Sequence, residues 1–343
     1  MESAQKRICN GNYLKMQKRK LGKDGPEVSA ISIGTSWGIN SLTEWYQSKK
    51  QLIKTLQLAI DSGINFINTA DFYGCGISEL TIGEVIKERR KDVFISVKTG
   101  AVINPNGHLK GLDGSPKAIK NYCAYSLKRL GVDEIDLYQP CRIDPEVPIE
   151  ETVGAIKDLI AEGKVKYLGL SEANAEQLIR ANKIHKVSAL EIEYSLATRF
   201  VEYEILQVAR NLGTAIVPYS VFSYGLLTGK IKFPLLKNDF RNILPRFENV
   251  NLKHNLKMVE WLKKFAETKN ASASQIALAW LLNQGTDIIP IIGMTKPERI
   301  KENIEALQIN FTKSELQLLD KTFTEGAFKG ERYPPAFLSW AAS

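Results

Sequence analysis

The chain has 343 residues, 44% hydrophobic and 24% charged, and a net charge of +8, proportions that allow a globular protein with a sizeable core. The positive charge raises a nucleic-acid or membrane partner, but the basic residues are interleaved with acids, and the densest cluster (Lys15, Lys18, Arg19, Lys20, Lys23) lies near the N-terminus outside any apolar pattern, so neither partner is expected. No apolar run approaches the roughly 20 residues of a membrane span, and Cys9, Cys75, Cys123 and Cys141, with three scattered His, show neither zinc spacing nor a secretory signal, which points to a reducing, cytoplasmic protein without a metal.

Residues 1–15 are polar and unpatterned and are expected to form a disordered extension, with Met16 a natural second start. From there strand-like and helix-like segments alternate. "VSAISIG" (28–34) is followed by a helical pattern over 49–63, with Leu52, Leu56, Ala59 and Ile60 on one face and Gly63 as the stop. "INFINTA" (64–70) leads to a helix over 78–89 with Ser78 as its cap. "DVFISVK" (92–98) leads to a helix over 115–131 that opens on a cap Ser and a Pro. The same alternation gives strands at 135–140, 165–171, 189–195, 214–220 and 287–293. Helices fall at 148–164, 174–185, 202–213, 255–269, 272–285 and 296–307. The aromatic, Pro-broken "ERYPPAFLSWAAS" (331–343) is too apolar for a free tail and is expected to pack on the body of the protein.

Eight strands, each followed by helix, predict a single-domain α/β fold, the (β/α)8 or TIM barrel, over residues 16–343. A doubly wound nucleotide-binding sheet would need its glycine fingerprint after an early strand. The one candidate, "GCGISE" (74–79), has Glu79 where the third glycine belongs.

Barrel active sites lie at the C-terminal ends of the strands. That rule collects Gly34, Thr35, Ser36 and Trp37 after the first strand, and Asn68, Asp71 and Tyr73 after the second. It adds Lys98, Gln139, Cys141, Ser171, Glu172, Glu191, Glu193, Tyr219 and Ser220 from the next five, and Gly293 from the eighth. A lysine closing an apolar strand has two readings. Lys98 either tunes a nearby phenol such as Tyr73 as a proton donor or simply reaches solvent at the rim. Lys296 and Arg299 open the helix after the eighth strand and fit a phosphate site, though a solvated helix face has the same pattern. Gly225 and Gly229, after the seventh strand, would let a ligand approach the backbone.

"INTADFYG", "ISVKTG", "SLKRLGVDEIDLYQP", "IEETVGAIKDLIAEGKVKYLGLSE", "YSVFSYGLLTGK" and "IPIIGMTKPERIKEN", in this order, resemble the aldo-keto reductases. The resemblance runs from about residue 16 to the tail. It implies an NADPH-dependent barrel that reduces a small carbonyl compound, an aldehyde or ketone, to an alcohol. Tyr73 matches the family's proton donor and Lys98 the lysine that tunes it. Two catalytic positions depart. Asn68 stands where the family has Asp, and Cys141 where it has His. Asn68 can hydrogen-bond the lysine but brings no charge. Cys141 is a smaller, weaker donor, and would be a nucleophile only if its pKa were lowered, for which Lys98 is the nearest candidate.

On the cofactor side the resemblance gives Thr35, Ser171, Glu191, Tyr219, Ser220, Gly225, Leu226, Gly293, Lys296, Arg299 and Asn303, with Met294 beside them. Ser171 and Glu191 match the carboxamide contacts, Glu191 replacing the usual Gln. Tyr219 matches the ring that stacks on nicotinamide. Lys296 and Arg299 match the grip on the 2′-phosphate, which favours NADPH. Trp37, Phe72, Tyr333 and Trp340 are expected to line the substrate pocket. The altered tetrad leaves a second function open, an NADP(H)-binding sensor or accessory subunit with weak turnover. A third is a Schiff-base enzyme using Lys98, which the adenosine grip argues against. Substrate identity, reaction direction and oligomeric state are not legible.

Overall fold

The computed structural model describes residues 16–38, 41–104 and 107–342. The predicted extension over 1–15, with Cys9, lies outside them. Eight parallel strands form one sheet: β1 (Ser32–Gly34), β2 (Phe66–Ala70), β3 (Phe94–Thr99), β4 (Ile135–Pro140), β5 (Val165–Ser171), β6 (Val187–Glu193), β7 (Ala215–Tyr219) and β8 (Ile291–Gly293). Their spatial order is 7-6-5-4-3-2-1-8. A parallel bridge between Ile216 and Ile288 joins β7 to the approach to β8 and closes the ring. This is the predicted (β/α)8 barrel.

The strands read as near-continuous apolar runs because both faces are covered. β2, β3, β4 and β6 are buried at every residue. The main hydrophobic core lies between the sheet and the helices. Those helices are α1 (Leu42–Asp61), α2 (Ile77–Ile86), α3 (Pro116–Leu130), α4 (Ile149–Ala161), α5 (Ala175–Ile184), α6 (Ile205–Leu212), α7 (Asn249–Thr268), α8 (Ala273–Leu282), α9 (Pro297–Ala306) and α10 (Lys313–Thr322). Their ends follow local chemistry. Ser115 caps α3 by accepting from the Ala118 amide, Pro116 opens it, and Gly131 ends it at φ 66°. Asn174 with Gln177, and Ser272 with Gln275, form reciprocal capping boxes on α5 and α8. Among the described residues no helix is long and apolar enough to cross a membrane.

Several boundaries differ from the sequence pattern. α1 starts at Leu42 rather than residue 49, because Ser41 caps it by accepting from the Glu44 amide. Ser78 does not cap α2. Gly76 occupies that position, and the Ser78 hydroxyl instead meets Thr35 Oγ1 at 2.8 Å and Thr69 Oγ1 at 2.9 Å. β8 is shorter than expected, since Pro290 has no N–H for the ladder. The basic N-terminal cluster, which shows no apolar pattern, contributes Lys18–Lys20 to a hairpin with Glu27–Ser29. α10 and a second hairpin, Ala101–Ile103 with Leu109–Leu112, were also not anticipated.

The N-terminal hairpin closes the bottom of the barrel. Its Leu21 and Val28 pack with Phe66, Phe94 and Ala215, the first residues of β2, β3 and β7. Arg19 donates to the carbonyls of Leu282 (2.9 Å), Gly285 (2.7 Å) and Ile288 (2.5 Å), capping the C-terminus of α8 with a cation. Arg19→Met is expected to lower stability by about 2 kcal/mol in urea unfolding. Ligand binding at the opposite end of the barrel should be unchanged in the same preparation.

Candidate active site

The C-terminal ends of the strands open into a cavity of about 740 Å³. That is within the roughly 300–1,000 Å³ range of small-molecule sites. Asn68, Lys98 and Glu191 form part of its wall, with Tyr73 and Cys141 above them on the loops after β2 and β4.

The stretch after β2 explains the position of Tyr73. Gly74, Cys75 and Gly76 take left-handed backbone in succession (φ 58°, 52° and 98°), which turns the chain sharply before α2 begins. A Cβ on Gly76 would lie within 2.7–2.9 Å of the Arg129 side chain. Phe72 packs edge-on against Tyr73 with centroids 5.0 Å apart, and Lys98 Nζ lies 5.3 Å from the Tyr73 ring centre.

Strand register builds the network under that pair. Asn68 faces Ser96 across β2–β3, and Lys98 faces Gln139 across β3–β4. Lys98 Nζ donates to Asn68 Oδ1 (2.5 Å) and lies 3.0 Å from Glu191 Oε1 and 3.2 Å from Oε2. Glu191 Oε2 also accepts from Asn68 Nδ2 (2.8 Å) and Gln139 Nε2 (2.7 Å). Burial pulls the Lys98 pKa down, but the Glu191 carboxylate, helped by Tyr73, outweighs it and holds the pKa above the usual lysine value. The rim-lysine reading of Lys98 therefore fails. Its side chain is 5% exposed and ion-paired.

Cys141 is buried, and its thiol is pushed up to about 12, with burial the leading cause and Lys98 only a small opposing influence. That overturns the idea that Lys98 would activate it. Asp71 turns away from the cavity and accepts from Thr99 Oγ1 at 2.7 Å.

A second buried network holds the C-terminal tail over the cavity. Glu172 accepts from Tyr219 OH (2.9 Å), from Arg332 Nη1 (3.1 Å) and Nη2 (2.8 Å), and from the Ala342 amide (3.1 Å). Burial raises the Glu172 pKa, and Arg332 and Arg142 together override it, so the carboxyl sits below its usual value. Tyr219 OH also meets Tyr333 OH at 2.8 Å. Tyr333, Phe337 and Trp340 thereby become cavity wall. Trp37, expected beside them, instead lines a smaller adjoining cavity of about 150 Å³.

Thr35, Tyr219, Ser220, Gly225, Gly293, Lys296 and Arg299 line the main cavity. Ser171, Leu226 and Asn303 are buried and do not line it, and Met294 is fully buried in the core. Lys296 is exposed at the N-cap of α9, and its side chain does not cap the helix. Sequence reasoning missed Arg142, Arg332, Phe222 and Tyr224. Arg142 directly follows Cys141 at the end of β4 and was legible by the strand-end rule. Arg332 required the tail's path.

Residues 30–323 match the Aldo/keto reductase family. The chain belongs to that family. A probable aldo-keto reductase 1 of Glycine max is 38% identical over 93% of this chain and 92% of its own length. Among solved structures, a glycerol dehydrogenase of Gluconobacter oxydans shares 28% identity with TM-score 0.80, over 91% of this chain and 95% of that one. An aldo/keto reductase of Klebsiella pneumoniae in complex with NADP and acetate has TM-score 0.72 at 22% identity, over 93% and 99% of the two chains, a likeness of fold.

The residues present fit a nicotinamide dinucleotide. Tyr219, Lys296 and Arg299 line the same cavity and offer it a ring face and two cations, whereas the partnerless hydroxyl of buried Ser171 lies outside that lining. A Cβ built on Gly293 meets no atom within 4 Å, so the wall there is open to a ligand. Glu191 fits less simply. Its carboxylate, expected at the carboxamide, is already engaged by Lys98, Asn68 and Gln139.

Asp71 gives a pH prediction for this aldo/keto reductase. Burial, reinforced by Glu79, pushes its carboxyl up to about 7 against the hydrogen bond from Thr99 and the charge of Arg129. Between about pH 4 and pH 7 the unfolded chain has lost this proton while the folded chain keeps it, so folding is progressively disfavoured as pH rises. Asp71→Asn removes that penalty. Urea unfolding should show the variant more stable than the parent at pH 8 by up to about 4 kcal/mol, with the advantage vanishing near pH 4.

Proposed function

We propose that this chain is an NADPH-dependent reductase of a small aldehyde or ketone. The observation that carries the reading is buried Lys98 paired with half-buried Tyr73, both opening on the same cavity as the basic residues Lys296 and Arg299. When bound, NADPH supplies a hydride to the carbonyl carbon. Tyr73 gives the carbonyl oxygen its proton. The Lys98 ammonium beside the ring favours the phenolate left behind. Tyr219, tied through its hydroxyl to Glu172 and Tyr333, offers a fixed ring face for stacking. Lys296 and Arg299, at the start of α9, take the adenosine 2′-phosphate. The NADP complex of the structurally similar Klebsiella pneumoniae protein is in keeping with this assignment.

Cys141 contributes space rather than an orienting donor. A neutral thiol cannot direct a carbonyl as an imidazole does. The preferred substrate is therefore one that the walls, Tyr333, Phe337 and Trp340 among them, align by packing.

The test pairs an NADPH fluorescence titration with NADPH consumption on a panel of aldehydes, ketones and quinones. Tyr73→Phe is expected to lower kcat by roughly 10²–10⁴-fold while NADPH affinity is kept. Joint replacement of Lys296 and Arg299 by Ala should weaken NADPH at least about tenfold and leave NADH little changed. Tight binding without turnover across the panel would favour the sensor or accessory reading. Absence of NADPH binding would sink both.

A further inference from the structure

Lys98 is a cation at the inner end of a cavity, 4% exposed. A buried ammonium stays charged only if an anion faces it. Asn68, at the position where the family resemblance places a carboxylate, is neutral. Among the described residues the one carboxylate within 4.0 Å of the ammonium is Glu191, on the far side of the barrel in β6.

We propose that Glu191 is the counterion of Lys98, so that the charge of the proton-transfer site has moved from β2 to β6. Glu191 is thereby a positioning residue that acts on Tyr73 through Lys98, and it is not a free carboxamide ligand. This rests on the reductase reading above for its catalytic meaning, but not for its electrostatics. The geometry supports an exchange rather than a loss. Asn68 and Glu191 touch each other as well as the ammonium, with Asn68 Nδ2 donating to Glu191 Oε2 at 2.8 Å. Placing Asp at 68 and Gln at 191 would keep one carboxylate, one amide and one hydrogen bond between them, with its direction reversed. Gln139 can follow. It now donates Nε2 to Glu191 Oε2, while its Oε1 is buried without a partner among the described residues. Turning its amide over would let it accept from a Gln at 191. The titratable groups facing the ammonium are then Tyr73 from the β2 loop, Cys141 after β4 and Glu191 from β6.

The test uses the full chain in three variants, Glu191→Gln, Asn68→Asp and the double exchange, each read in two ways. The first readout is the thermal midpoint of the cofactor-free protein at pH 7 and pH 9.5. Glu191→Gln leaves the ammonium without its anion. Its deficit against the parent should be large at pH 7 and at least halve at pH 9.5, where Lys98 can shed its proton. The double exchange should recover most of it. The second readout is the pH profile of kcat. Glu191→Gln is expected to lose at least about 100-fold, and the double exchange to return within about tenfold of the parent. A deficit equal at both pH values, with no recovery on exchange, would overturn the proposal and leave Glu191 a packing residue. So would a double exchange that fails to fold while Asn68→Asp folds. If the parent reduces no carbonyl, the reductase reading falls, and the cofactor-free stability arm still decides the pairing.

Discussion

An ammonium held inside a barrel constrains everything around it. Lys98 sits where β3 ends, and water cannot solvate it. The protein must supply an anion and acceptors at fixed distances. Glu191 supplies the anion, Asn68 the carbonyl, and Gln139 and Asn68 together hold the carboxylate in place. These groups come from four strands, and only the closed parallel register brings them together. The side chains of β2, β3, β4 and β6 point inward at alternate positions, so one layer of the barrel interior becomes polar while the layer below, with Phe66, Phe94 and Leu137, stays apolar.

A second set of buried charges does for the lid what the first does for the floor. Glu172 and Glu193, at the ends of β5 and β6, hold Arg332 and Arg246. Glu172 adopts left-handed backbone (φ 53°), as does Ser220 (φ 56°) at the end of β7, a conformation disfavoured for side-chain-bearing residues. The ion pair with Arg332 and the hydrogen bond from the Ala342 amide hold Glu172 in that conformation. The tail therefore forms a wall with fixed shape, and Tyr219 is fixed with it. None of Glu172, Glu193, Arg246 and Arg332 lines the cavity whose wall they hold in place.

The two networks also separate the tasks of the site. Around Lys98 the electrostatics favour a positive charge next to a phenol. Around Cys141 they favour a neutral thiol, because burial outweighs the nearby cations. Asp71, two residues before Tyr73, belongs to neither network, and burial pushes its carboxyl up to about 7. Surroundings alone thus hold Lys98 as a cation and Cys141 as a neutral thiol, and bring Asp71 to titrate near neutral pH.

Much of the architecture was legible from residue order. Buried parallel strands are apolar along their whole length, helices carry one apolar face and recognisable caps, and their alternation leaves few alternatives to a barrel. The strand-end rule then placed Asn68, Lys98, Cys141, Glu191 and Tyr219 at one mouth. The bottom hairpin was not legible, because Lys18–Lys20 pair through backbone and Arg19 acts through distant carbonyls. The path of Arg332 was equally hidden, since a tail's contacts depend on where it lands. The pairing of Asn68 with Glu191 shows the division most clearly. The chain alone reveals a missing carboxylate at 68 and an added one at 191, 123 positions apart. Only barrel closure puts both against the same ammonium, because electrostatic partnership depends on distance through space and not along the chain.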